Sequence, residues 1–297
     1  MTKIFDQSVV FTQLHKSNND NIYEIVIPVR NESFRLKYLI EGLKDNFKLV
    51  FLDGGSTDNT VDLIKSYDCD VYQRNDPKIY GKQDNQLAQD IFDAQNGTSW
   101  CIAYYINNVS KAKFIIRLWA DEYINKNDQK RILDYFNSDR VNVVGRRVDW
   151  FYGYRIGSPT SYIISYCPGE AVWDDKILHS DVVSLSNDSH LLHVQVEHYS
   201  VGDTLQNLGK LAKYTKAEVS RITGNKKKYS PVFYRYGLML FVPIKNFRKY
   251  TNFKLFLIGF LLQLLDCVVG HIIFFEMYYL NDHEKQNEIF QSYTENN

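Results

Sequence analysis

Residues 22–55, IYEIVIPVRNESFRLKYLIEGLKDNFKLVFLDGG, decide the fold. The segment opens with the short apolar run IYEIVIPV, which suits a strand buried on both sides. SFRLKYLIEGLKDNF follows with apolar residues at helical spacing, and KLVFLDG returns to a strand pattern. Strand, helix and strand of these lengths form one crossover unit, and the pattern repeats: STDNTVDLIKSY reads as a helix opened by a capping Ser or Thr, and CDVYQR as a third strand. Such alternation predicts an α/β domain with a mostly parallel sheet and helices on both faces, whose ligands bind at the carboxyl ends of the strands.

Further along, GKQDNQLAQDIFDAQ and TSWCIAYYINNVSKA read as two helices separated by the turn signal Asn96-Gly97. The strand KFIIRLWA then ends in two adjacent carboxylates, Asp121 and Glu122. Residues 127–138 read as a helix, VNVVGRRV as a strand, and 203–222 as a further helix. Between 150 and 200 the periodicity is poor, with strand-like runs at DVVSL and HLLHVQVEHY.

The whole-chain numbers exclude some classes. Lysine plus arginine equals aspartate plus glutamate at 35 each among 297 residues, so bulk charge gives no footprint for nucleic acid. Four cysteines at 69, 101, 167 and 267 are far apart and match no zinc spacing, which fits buried thiols in a reducing compartment. The first residues, MTKIFDQSVVFTQLHKSNND, lack an apolar core and a small-residue cleavage site, so an N-terminal tail over 1–21 and a cytoplasmic location are expected.

Two strand ends carry candidate chemistry. In LDGGSTDNT, Asp53 is followed by Gly-Gly and by Ser56 or Thr57 at a helix start, which would put a carboxylate beside free backbone N–H groups. Neither Gly-x-x-x-x-Gly-Lys nor Gly-x-Gly-x-x-Gly is present, so the P-loop and the standard dinucleotide fingerprint are absent. Taken alone, GGSTD is an ordinary strand-to-helix turn and Asp121-Glu122 an ordinary cap.

Together, IVIPVRNES (25–33), VFLDGGSTDNT (50–60) and RLWADE (117–122) resemble, at matching spacing over roughly residues 22–125, the amino-terminal half of family 2 glycosyltransferases. These are inverting nucleotide-sugar enzymes of GT-A fold. The resemblance implies a nucleotide site lined by Pro28, Val29, Asn31, Glu32, Asp53 and Ser56, with Asp53 at the base. It implies a divalent metal, Mn2+ or Mg2+, held on the diphosphate by Asp121, the last acid of the family's Asp-x-Asp. Hard cations prefer such carboxylate and phosphate oxygens and offset the charge of the departing diphosphate.

More narrowly, Ala-Asp-Glu, Arg117 and GKQDNQLA, which adds Lys82 and Asn85 to the nucleotide site, resemble the branch with lipopolysaccharide-core β-1,4-glucosyltransferase-like enzymes. WDDKILHSDVV, VEHYS, LGKLAKYTKAE and the terminal MYYL are similar to that branch's later segments. Two positions depart from the pattern: Trp119 stands where the first acid is expected, and Ser180 where the branch has Glu after His179. Asp181 is the nearest acid able to serve as catalytic base, with Glu170, Asp174 and Asp175 as alternatives. His179 and His198 read as hydrogen-bonding residues, since no other His or Cys sits at ligand spacing, and Lys210 and Lys213 as a solvated helix face.

The resulting expectation is a catalytic domain over 22–225, with the nucleotide-sugar half at 22–125 and the acceptor half at 126–225. It would move a sugar from a UDP-sugar to a hydroxyl of a glycan or glycolipid. The alternative, motivated by Trp119 and Ser180, is a nucleotide-sugar-binding protein of the same fold that has lost transfer. A nucleotidyltransferase fits less well, because those enzymes begin with a Gly-rich basic loop and IPVRNES lacks one.

Residues 226–297 form a basic and apolar helical appendage by pattern. Lys226, Lys227, Lys228, Arg235, Lys245, Arg248, Lys249 and Lys254 occur without a single acid between them, and FLIGFLLQLLDCVVGHIIFF follows at 256–275. Gly259, Gln263, Asp266 and Gly270 form one helical stripe in that run, so a charge at mid-segment argues against a simple span. A membrane-associating helix is expected, lying against the bilayer or packed in a hairpin with the basic stretch drawn to anionic headgroups, the alternative being a buried core helix whose Asp266 finds a partner.

Overall fold

The protein is seen in a computed structural model that describes residues 3–4, 11–75, 79–80, 86–151, 154–174, 181–184, 190–199 and 257. The chain divides into two compact units, one of residues 1–81 and 92–201 and the other of 82–91 and 202–297. The helix expected at 203–222 with Lys210 and Lys213, the site residues Lys82 and Asn85, and the appendage at 226–297 except residue 257 lie outside the described residues. No helix among the described residues is long and apolar enough to cross a membrane.

The elements run in chain order β1 (Lys3–Ile4), β2 (Phe11–His15), β3 (Tyr23–Val29), α1 (Ser33–Leu43), β4 (Lys48–Asp53), α2 (Thr60–Ser66), β5 (Asp70–Arg74), β6 (Ile79–Tyr80) and α3 (Gln86–Asn108). They continue with β7 (Phe114–Arg117), β8 (Glu122–Tyr123), α4 (Lys126–Asn137), β9 (Val143–Phe151), β10 (Tyr154–Ile163), β11 (Ser165–Tyr166), β12 (Ala171–Asp174), β13 (Asp181–Ser184) and β14 (Leu192–Tyr199). The main sheet has the order β11-β7-β3-β4-β5-β2. Its four central strands are parallel, while β2 and β11 pair antiparallel at the edges. The expected GT-A-like α/β architecture is therefore present, with a mixed sheet.

Burial on both faces explains why β3 is apolar at nearly every position. Ile25, Ile27 and Val29 point to one side, where Leu36, Ile40 and Leu43 of α1 and Ile132 and Phe136 of α4 close the core. Val26 points to the other, against Ile102, Tyr105 and Ile106 of α3. Each face removes several large side chains from water at about 1.5–3 kcal/mol apiece, which is ample to hold the helices on the sheet.

Three expectations change. The two helices predicted around Asn96-Gly97 are one continuous α3, because packing of Trp100, Cys101 and Ile102 outweighs the roughly 1 kcal/mol that a glycine costs inside a helix. Phe11–His15, expected within a tail, pairs antiparallel with β5 and forms an edge of the sheet. In the region without clear periodicity the strand-like runs DVVSL and HLLHVQVEHY are strands, as expected, but β14 joins an unexpected second sheet of order β10-β9-β14-β8, in which it runs parallel to β9. Cys69 and Cys101 are buried free thiols, as expected, whereas Cys167 is only half-buried, and burial pushes the Cys69 thiol up to about 12.

Candidate functional site

The sheet order creates the site. From β3 the chain moves outward through β4 and β5 and then returns to β7 on the other side of β3, so the crossovers diverge at the β3–β7 pair. A crevice opens at the carboxyl ends of strands at such a reversal. Asn31 and Glu32 follow β3 there, and Asp121 follows β7.

The loops after β3 and β4 are tied to each other. Asn31 takes a left-handed conformation (φ 57°), which its short polar side chain tolerates. Its side-chain oxygen accepts from the Thr57 N–H at 2.7 Å, and its own N–H donates to the Ser56 hydroxyl at 2.9 Å. The Glu32 N–H donates to Thr60 Oγ1 at 2.8 Å, and the Gly54 N–H to the Val29 carbonyl at 2.9 Å. Pro28 and Val29 are buried, so only their backbone would be open to a ligand.

Asp53 is 2% exposed and accepts from the Gly55 N–H at 3.0 Å, the Ser56 N–H at 3.0 Å and the Ser56 hydroxyl. The Gly55 and Ser56 N–H groups expected to face a ligand thus turn inward to Asp53. The expected cap at Ser56 or Thr57 is also displaced, because α2 begins at Thr60 with Asn59 preceding it.

Asp121 and Glu122, adjacent in sequence, face different partners. Glu122 is 1% exposed and accepts from the Trp119 N–H at 3.0 Å and the Tyr162 hydroxyl at 2.6 Å. The Arg117 guanidinium, also buried, lies over the rings of Trp119 and Tyr162 at 5.3 and 5.4 Å. Trp119, standing where an acid was expected, helps to close this box.

Asp121 remains partly open and meets cations. Its Oδ2 lies 3.2 Å from His198 Nε2 and 3.4 Å from Arg35 Nη1, and Arg35 Nε reaches Glu32 at 2.9 Å. Glu32 and Asp121, assigned to nucleotide and metal from sequence, are thereby joined by one arginine. His198 arrives because β14 pairs with β8, His198 opposite Glu122, while the Tyr199 N–H bonds the Asp121 carbonyl at 2.8 Å. The other ring nitrogen of His198 meets Asp149 at 2.7 Å, and Asp149 accepts from Arg147 at 2.9 Å.

Burial would raise the Asp121 pKa, but the hydrogen bond and charge of His198 and the charge of Arg35 outweigh it and hold the carboxyl below its ordinary range. Burial likewise works against a charged His198, yet its bonds to Asp121 and Asp149 lift it to about 9. That is above the ordinary value near 6.5, so the stabilisation is complete below about pH 6.5 and is lost as pH rises through about 9. Metal-free protein should lose on the order of 3 kcal/mol of unfolding free energy across that window, and His198→Gln should flatten the slope. Urea melts at the two ends of the window measure it, and equal slopes for both proteins would contradict it.

Asp121 offers one carboxylate and His198 one imidazole nitrogen, donor types that a divalent cation accepts. Two neighbouring ligands of an octahedral ion, each at about 2.1 Å, sit about 3.0 Å apart, close to the 3.2 Å between Asp121 Oδ2 and His198 Nε2. Asp149 behind His198 supplies the carboxylate that orients a metal-binding imidazole. Among the described residues no three acidic, His or Cys side chains converge as a complete cage, so the diphosphate would have to supply the remaining oxygens. His198, read from sequence as a hydrogen-bonding residue, does bond to acids, and it is also the best second donor. Its only sequence signal was the likeness of VEHYS to a His-centred motif.

The catalytic candidates are less completely placed. Asp181 begins β13, and its backbone is registered opposite Asp174 of β12. Glu170 sits just before β12, its N–H bonded to the Cys167 carbonyl. Asp175, His179 and Ser180 lie outside the described residues, as do the side chains of Asp174 and Asp181.

Positions 24–184 match the family described as Glycosyl transferase family 2. Over 131 residues the sequence is 30% identical to the minor teichoic acid biosynthesis protein GgaA of Bacillus subtilis (strain 168), covering 41% of this chain and 26% of that protein. The chain thus spans about a quarter of the length of that relative. Among solved structures, S. aureus TarS 1–349 matches at 17% identity and a TM-score of 0.32, over 46% of this chain and 38% of that one. Glucosyl-3-phosphoglycerate synthase from Mycobacterium tuberculosis, in complex with Mn2+, UDP and glucosyl-3-phosphoglycerate, matches at 12% identity and a TM-score of 0.37, over 71% and 82%.

Proposed function

The chain belongs to glycosyl transferase family 2, and from that membership we propose that it transfers a sugar, with inversion, from a nucleotide sugar, UDP-sugar first, to a hydroxyl of a glycan or glycolipid. Cell-surface polysaccharide or lipopolysaccharide is the proposed product class, and the partial likeness to a teichoic acid biosynthesis protein supports a surface polymer. The observation that carries the reading is the Glu32–Arg35–Asp121–His198 chain, which spans the crevice from the end of β3 to the end of β7.

In this proposal the loops at Asn31 and Ser56 receive the nucleoside, with Asp53 setting the loop shape from beneath. Lys82 and Asn85 are kept as further nucleotide contacts on the strength of the resemblance. Asp121 and His198 would hold Mn2+ or Mg2+, which supplies charge neutralisation to the leaving diphosphate. Arg35 can then turn its charge toward Glu32 and the phosphates. Asp181 is proposed to take the proton from the acceptor hydroxyl as that oxygen attacks the anomeric carbon and the bond to the diphosphate breaks.

The test is release of nucleoside diphosphate from a panel of UDP-sugars with Mn2+, with and without glycan acceptors. Acceptor-dependent release supports transfer. Tight metal-dependent binding with no release on any acceptor favours the alternative of a binding protein, for which Trp119 in an acid's position is the motive.

Attachment to the inner face of the cytoplasmic membrane is proposed from sequence alone, through the basic stretch 226–254 and the apolar run 256–275. The expected result is co-sedimentation with anionic liposomes at low salt that weakens at high salt. No sedimentation at low salt would remove this part of the reading.

A further inference from the structure

The side chains Phe34 and Tyr38 lie outside the core, with the Arg35 guanidinium 4.5 Å from the centre of the Phe34 ring. The core stripe of α1 is Leu36, Leu39, Ile40 and Leu43, all buried. Phe34 and Tyr38 stand one turn apart on another stripe, 60% and 76% exposed. They form one wall of a cavity of about 550 Å³, whose other walls are Tyr123, Tyr199 and the Ala120–Asp121 turn. That volume lies within the range of about 300–1,000 Å³ typical of small-ligand sites. Asp121 and Arg35 also line the cavity, and the bond from Tyr199 N–H to the Asp121 carbonyl fixes the aromatic wall to the candidate metal donor.

From this geometry we infer that the cavity binds a pyranose ring of the acceptor, stacked on Phe34, Tyr38 and Tyr199. The inference rests on the glycosyltransferase reading and adds the chemistry of the second substrate. A pyranose has an apolar C–H face and a hydroxyl rim. Its face suits the exposed rings, and its rim suits the three phenol hydroxyls and the Asp121 carboxylate at one end. An acyl chain would use the rings but offer no hydrogen bond to the phenol hydroxyls or to Asp121. Continuity with Asp121 brings a hydroxyl of the bound ring toward the place where a sugar would be transferred.

Saturation-transfer NMR on the full chain tests the assignment, with the methyl β-glycosides of glucose, galactose and N-acetylglucosamine as probes and octanoate as the comparison. At least one glycoside should receive saturation at its ring protons. Phe34→Ala and Tyr38→Ala, both at exposed positions and therefore folded, should each weaken it by about fivefold or more. No signal from any glycoside, equal signals in wild type and both variants, or binding of octanoate instead would overturn the assignment. Calorimetry of UDP with Mn2+ on the wild type keeps the two readings apart. UDP binding without glycoside contact refutes only the acceptor site, whereas absent UDP binding refutes the functional reading.

Discussion

Replacing Asp121 with asparagine should lower the rate of sugar transfer by about a thousandfold or more while the protein stays folded. Asparagine keeps the shape but removes the charge that attracts a cation. Loss of one well-placed electrostatic group at a developing negative charge typically costs a factor of about a hundred to a thousand, and loss of a metal ligand adds to it. The protein should still fold, because Asp121 is partly open and His198 keeps Asp149 as a partner, but it should lose part of the His198 stabilisation, on the order of 1–2 kcal/mol. Steady-state release of nucleoside diphosphate, measured beside a urea melt, separates the two effects. A rate within about tenfold of wild type would contradict the role.

Replacing the neighbouring Glu122 with leucine should act on stability. Its carboxylate is the shared acceptor of the Trp119 N–H and the Tyr162 hydroxyl, beside the buried Arg117 guanidinium. Removing it leaves two part-buried donors, the Trp119 N–H and the Tyr162 hydroxyl, without their acceptor, which costs about 2–5 kcal/mol together. Domains of this kind have about 5–15 kcal/mol in total, so the urea midpoint should fall steeply. A loss below about 1 kcal/mol would show that the box does not depend on this carboxylate.

The contrast between Asp121 and Glu122 marks what the sequence could and could not tell. The parallel sheet was legible because β3, β4 and β7 are short apolar runs separated by helical periods, and the position of Asp121 followed from its strand. The difference between the two acids was not legible, since it depends on Tyr162 and His198, which reach them from other strands. Register between β14 and β8 brings His198 to Asp121, and no local pattern encodes that pairing. Asn96-Gly97 misled because a turn signal is a local preference and the core around α3 is a tertiary one. Asp53 was correctly placed at a strand end, but its inward bonds to Gly55 and Ser56 depend on a loop conformation that spacing does not reveal.

Proton linkage follows from the same cluster. A charged His198 stabilises the metal-free protein below about pH 9, and in the proposed site a cation would replace that proton between the same two side chains. Metal binding should therefore release a proton and strengthen as pH rises toward that value.

Calorimetric titration of UDP into the wild-type chain and into Asp121→Asn, each with and without Mn2+, tests the central claim most directly. The account predicts that Mn2+ tightens UDP binding to the wild type by about tenfold or more and has no such effect on the variant. Equal Mn2+ dependence in both proteins would show that Asp121 is not where the cation and the diphosphate meet.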